Sequence, residues 1–67
     1  MMIRFATKRD RNGNRYFLGL DTEKKIFSRE SAHWYSREDL TAEVTRTQRR
    51  RIIEQLETEG YTEIEHI

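Results

Sequence analysis

The stretch from residue 3 to residue 20, Ile3-Arg4-Phe5-Ala6-Thr7-Lys8-Arg9-Asp10-Arg11-Asn12-Gly13-Asn14-Arg15-Tyr16-Phe17-Leu18-Gly19-Leu20, holds two strand-like runs on either side of an Asn-Gly pair. Asn-Gly is the preferred pair for a two-residue type I′ turn, because both central positions need φ > 0. That turn sets Arg11 opposite Asn14, and the register follows outward. Arg9 then faces Tyr16, Thr7 faces Leu18, Phe5 faces Leu20, and Arg4 faces Asp21 as an opposite-charge cross-strand pair. One face collects Ile3, Phe5, Thr7, Tyr16, Leu18 and Leu20. The other carries Met2, Arg4, Ala6, Lys8, Phe17, Gly19 and Asp21. A slip of one residue would turn the apolar set into water.

Working outward from the hairpin, Asp21-Thr22-Glu23-Lys24 reads as a second tight connection and Lys25–Ser28 as a short third strand. Residues 29–35 have no clean period and form a connector carrying His33, Trp34 and Tyr35, with Trp34 expected to pack for core area. Ser36 is a good N-cap, with Asp39 three residues on and Tyr35 and Leu40 placed as a hydrophobic staple. Thr45-x-x-Gln48 is a second capping-box pattern, and Gly60 suits the C′ position of the helix that follows. On a single helical wheel Ile52, Ile53 and Leu56 share one side, within about 100° of arc. Leu40 and Val44 fall more than about 100° from Leu56. The sequence therefore predicts two helices with a break near Val44-Thr45, a short one over 37–43 and a longer one over 46–59. The alternation of Tyr61–Ile67, with Thr62, Ile64 and His66 on one face, predicts a final strand.

The expected fold is a single α+β domain over residues 1–67, in the order β-β-β-α-α-β. A small antiparallel sheet, made of the N-terminal hairpin, the third strand and the C-terminal strand, packs against one short and one longer helix. Its expected core is Phe5, Leu18, Leu20, Phe27, Ile52, Ile53, Leu56 and Ile64.

Composition narrows the function. The chain has 67 residues, no cysteine, a charged fraction of 37% and a net charge of +1. No disulfide or thiolate–metal site can staple it, so its stability comes from an economical core or from a partner. The two histidines, His33 and His66, have no ligand spacing, and the glycines form no phosphate loop. Nothing in the sequence supports an enzyme, a metal site or a cofactor. No apolar run is long enough for a membrane span, and the N-terminus is too charged for a signal peptide. A cytoplasmic setting is expected.

The charge is segregated along the chain. Residues 1–25 hold seven Lys/Arg against three Asp/Glu, residues 45–51 hold four arginines and no acid, and residues 52–67 hold five glutamates and no Lys or Arg. The longer helix thus begins with Arg46, Arg49, Arg50 and Arg51 and ends among glutamates. That order opposes the helix dipole, which favours acids at the N-terminus. Two readings of these arginines stay open. They are either solvated and repaired within the helix (Arg50 to Glu54, Arg51 to Glu54 or Gln55), with Arg49 laying its methylenes on the core edge, or they bind an anion at the helix start. The hairpin tip clusters Lys8, Arg9, Arg11 and Arg15. These read either as charges that keep edge strands from pairing or as a basic finger for phosphate.

The run Val44-Thr45-Arg46-Thr47-Gln48-Arg49-Arg50-Arg51-Ile52-Ile53-Glu54-Gln55-Leu56-Glu57-Thr58-Glu59-Gly60-Tyr61 resembles the recognition helix of bacterial winged helix-turn-helix regulators. It departs from their pattern at Arg49, where the family has an apolar core residue. The resemblance implies that Ser36–Glu43 stands in for the preceding helix and that Arg46, Thr47, Arg50 and Arg51 face the major groove. The sequence thus offers two functions. One is a non-enzymatic nucleic-acid-binding module using Arg46, Thr47, Arg50, Arg51, Lys8, Arg9, Arg11 and Arg15. The other is a protein-interaction module or homodimer in which basic and acidic segments of two chains meet.

Overall fold

A computed structural model describes residues 1–29 and 40–67. Among the described residues five strands and one helix follow one another: β1 (Met2–Thr7), β2 (Phe17–Asp21), β3 (Ile26–Ser28), β4 (Ala42–Val44), α1 (Arg46–Thr58) and β5 (Thr62–Glu63). They form one sheet in the order β4-β1-β2-β3-β5. β2 pairs antiparallel with β1 and β3, while β4 runs parallel to β1 and β5 parallel to β3. Four strands therefore point one way and β2 alone points back. The architecture is α+β as expected, but the sheet is mixed and not purely antiparallel.

The hairpin keeps the expected faces and changes its register. Phe5 lies opposite Leu18, Ile3 opposite Leu20, and Arg4 opposite Gly19. The expected pairs Phe5–Leu20 and Arg4–Asp21 are not formed, and Asp21 sits across from Met2. The cause is local. The Asp10 carboxylate accepts the backbone N–H groups of Asn12 and Asn14, each at 2.9 Å. Gly13, at φ +80°, donates to the Asp10 carbonyl. Asp10 N–H reaches the Asn14 carbonyl and closes a three-residue loop in place of the two-residue turn. Such a loop is a type I turn followed by a left-handed glycine, the next most common hairpin solution. A further extra residue separates this closure from the next pair, where Thr7 N–H donates to the Tyr16 carbonyl. Two one-residue shifts make a shift of two, and strand side chains repeat every two residues. Ile3, Phe5, Leu18 and Leu20 therefore stay together.

The second connection forms where expected. Asp21 accepts the N–H groups of Glu23 and Lys24, and Lys25 follows at φ +54°. The Lys24 N–H bond is the main reason the Asp21 carboxyl lies below its ordinary pKa of 3.8; burial opposes this, and the Glu23 N–H and the chain's own N-terminal ammonium add to it.

Before α1 the fold departs from the sequence reading. Ala42–Val44 is a strand at the sheet edge, not the end of a 37–43 helix. Thr41 N–H donates to the Arg4 carbonyl at 2.7 Å, and Arg4 N–H donates back to the Thr41 hydroxyl at 3.1 Å. Pairing with β1 thus satisfies this backbone without any helical hydrogen bond. The start of that helix, the Ser36 cap, the Tyr35–Leu40 staple and the connector with His33, Trp34 and Tyr35 lie outside the described residues. With a strand before α1 and a two-residue strand after it, the described residues do not form the helix–turn–helix and wing that the resemblance implied.

α1 itself matches the reading. Thr45 and Gln48 form both halves of a capping box. At the other end Gly60, at φ +85°, donates to the Glu57 carbonyl and Tyr61 N–H to the Leu56 carbonyl, a Schellman termination. The unit β4-α1-β5 carries the chain from one sheet edge to the other. A single residue, Thr45, joins β4 to α1, and three residues join α1 to β5. Ile53 and Leu56 meet Leu18, Leu20 and Phe27 in the core, with Ile3, Phe5, Ile52 and Tyr61 packed at its margin. Ile64 is half-buried, and its N–H donates to the Phe27 carbonyl.

Candidate nucleic-acid interface

The site is built outward from Thr7, which is 2% exposed. Its N–H donates to the Tyr16 carbonyl at 2.9 Å, and its hydroxyl accepts Tyr16 N–H at 3.0 Å. Both bonds fix Tyr16 where β1 and β2 leave the hairpin loop. Tyr16 shares the face of Leu18, and so points toward α1 as the hairpin's face pattern requires.

The first turns of α1 lay two arginines over that ring. The Arg46 guanidinium carbon lies 4.5 Å from the ring centroid and that of Arg49 5.9 Å. Arg49 also donates from Nε to the Phe17 carbonyl at 2.9 Å, tying the helix to the start of β2. Burial first, and the nearby charges of Arg29 and Arg46 second, pull the Arg49 pKa below its ordinary value. The place that the resemblance reserves for an apolar residue is therefore held by an arginine, with Tyr16 as its platform. Helix position and chemistry agree here, since an Arg stem covers apolar surface while its head finds a carbonyl.

Around this centre lies a groove of about 300 Å³ lined by Arg29, Arg46, Arg49 and Arg50 together with Glu54 and Glu57. Tyr16 and Ile53 complete its wall. A second cleft, of about 280 Å³, lies between Lys8 and the start of α1. Arg46 lines both clefts.

The sequence candidates divide accordingly. Arg46 and Arg50 line the first groove, while Lys8 and Arg46 line the second. Arg15 serves the fold: its Nε donates to the Thr7 carbonyl at 2.8 Å, its guanidinium meets Glu43 at 3.3 Å, and it lies over Phe17. Arg9 donates to the Gly13 carbonyl at 3.0 Å and holds its own loop. Arg11, Thr47 and Arg51 are exposed and line neither cleft. Among the described residues no carboxylate lies within ion-pair distance of Arg46, Arg50 or Arg51. The repair of Arg50 by Glu54, or of Arg51 by Glu54, is not formed.

Arg29 and the Glu54/Glu57 pair were not candidates from sequence. Tyr16 and Arg49 did carry a signal, since each is the polar member of an otherwise apolar stripe and the two stripes face each other. Arg29 carried none; it follows β3, lines the groove and pairs with Glu63 at 3.0 Å.

Among the described residues no three His, Asp or Glu side chains are grouped to hold a metal ion, and no helix is long and apolar enough to cross a membrane. No family model, curated protein or solved structure matches this chain.

Proposed function

We propose that this chain is a small cytoplasmic, non-enzymatic module that binds nucleic acid along the stripe formed by Lys8, Arg46, Arg49 and Arg50. The observation that carries this reading is the state of Arg46. It lines both clefts, lies over Tyr16, and has no carboxylate partner among the described residues. An arginine placed over a ring keeps its N–H donors at the edge of the guanidinium plane, which suits bidentate contact with phosphate. A phosphate between Arg46 and Arg50 would also relieve their i, i+4 repulsion and offset the charge crowding felt by Arg49. The cost of placing these cations against the helix dipole is then recovered on binding, at the helix end where backbone N–H groups favour an anion.

The test is fluorescence anisotropy with labelled nucleic-acid strands over a range of salt. Three or four phosphate contacts release counterions with a slope of log K on log salt of about −2 to −3. Affinity that is absent at low ionic strength, or unchanged as salt rises, overturns the proposal.

A further inference from the structure

Three cations of α1 are gathered in one place. Arg49 and Arg50 stand at i+3 and i+4 from Arg46, so Arg46 neighbours both on the helix surface. Two of the three share one ring: the guanidinium carbons of Arg46 and Arg49 lie 4.5 Å and 5.9 Å from the Tyr16 centroid. Arg50 lines the same groove. Among the described residues no carboxylate lies within ion-pair distance of any of the three, whereas Arg29 beside them is already paired with Glu63. Arg49 is half-buried, and the charges of Arg29 and Arg46 add to burial in lowering its pKa. Like charges held this close are relieved most by an anion that carries more than one charge.

Acids lie on both sides of the cluster. Glu54 and Glu57 follow it along α1 and line the groove, and residues 52–67 contain no Lys or Arg. On the other side Glu43 lines the cleft shared by Lys8 and Arg46. A backbone continued past the arginines in either direction therefore meets carboxylates. The arrangement suits a concentrated charge and not a long track. An internal phosphodiester offers one negative charge and two terminal oxygens. A phosphate monoester offers about −1.5 to −2 charges at neutral pH and three strong acceptor oxygens. Three guanidiniums match three oxygens. In a nucleic-acid strand that group exists only at an end.

Resting on the nucleic-acid reading above, we infer that the groove takes the phosphorylated end of a strand, whose terminal phosphate is held jointly by Arg46, Arg49 and Arg50. Lys8 is left for the adjoining internal phosphate. Tyr16 makes no base contact here; it is the platform that holds two of the guanidiniums in place.

The test is fluorescence anisotropy with short uridine strands of one length, carrying an internal dye. They end in a 5′-phosphate, in a 3′-phosphate, or in hydroxyl at both ends. A phosphate-ended strand is expected to bind about tenfold tighter than the hydroxyl-ended strand, the worth of one further charged hydrogen bond. Arg46→Gln with Arg50→Gln keeps helix propensity and should remove that advantage. Lys8→Ala should weaken the three strands alike. Uridine monophosphate, which cannot reach Lys8 as well, should compete only at a concentration at least about tenfold higher than the phosphate-ended strand. If the three strands bind the wild type equally while the double variant weakens them all, the end assignment falls and the phosphate stripe stands. If the monophosphate competes as well as the strand, the groove is a site for a free phosphate monoester and the inference of a strand end is overturned. If no strand binds, this inference and the function beneath it both fail.

Discussion

Phe27→Ala is expected to destabilise the fold by about 3–5 kcal/mol and to lower its urea midpoint sharply. Phe27 is 1% exposed and is among the largest fully buried side chains. It sits on β3 between Leu20 of β2 and Glu63 of β5, so its ring supports the strand that joins the C-terminal segment to the sheet. Truncating a buried Phe costs about 3–5 kcal/mol in lost transfer energy and cavity. A domain of this length has a net stability of roughly 3–10 kcal/mol. One substitution therefore removes a third of the margin at the least and all of it at the most. Phe27→Leu keeps most of the volume and should remain folded at a cost below about 1.5 kcal/mol. Urea denaturation followed by circular dichroism distinguishes them. A Phe27→Ala midpoint equal to that of the wild type contradicts the placement of the core.

Reversing the charge of Arg46 and Arg50 together, to Glu, is expected to weaken nucleic-acid binding by about a hundredfold or more at low salt. Each lost charged hydrogen bond is worth about 1.5–3 kcal/mol, and a tenfold change in affinity is about 1.4 kcal/mol. Stability should hardly move, because both residues are exposed and neither has a carboxylate partner among the described residues. A glutamate at position 46 gains about 0.3–1 kcal/mol from the helix dipole. That offsets the roughly 0.5–1 kcal/mol lost with the Arg46–Tyr16 contact. Arg51→Glu, on a residue that lines neither cleft, is the matched control and should cost little affinity beyond general charge. The contrast separates binding from folding: a double variant that unfolds, or that binds like the wild type, contradicts the assignment of these arginines.

Where a feature depended on a few adjacent residues, it was legible. Thr45 with Gln48 marked the start of α1, Gly60 marked its end, and the parity of Phe5, Leu18 and Leu20 marked the buried face. Where two local solutions compete, sequence alone chose the more common one. Asn12-Gly13 suited a two-residue turn, but the Asp10 carboxylate captures two N–H groups and selects a longer loop. β4 was not legible, because three residues are too few to show a period and their conformation is set by pairing with β1, almost forty positions away. The basic stripe was half legible. Arg46, Arg50 and Lys8 were named from charge, whereas Arg15 turned out to bridge Thr7 and Glu43, a contact that needs β4 in place. The Tyr16 platform needed the hairpin and the helix to be brought face to face.

We propose that a polyanion binds in the groove at Tyr16. The direct measurement is an NMR titration of the isotope-labelled chain with a short single strand, following backbone amides and arginine Nε–H signals. Saturable shifts are expected at Tyr16, Arg46, Arg49 and Arg50, extending to Lys8, with Arg11 and Arg51 little changed. Shifts centred on Arg11 or Arg51, with Tyr16 and Arg46 unmoved, would contradict it.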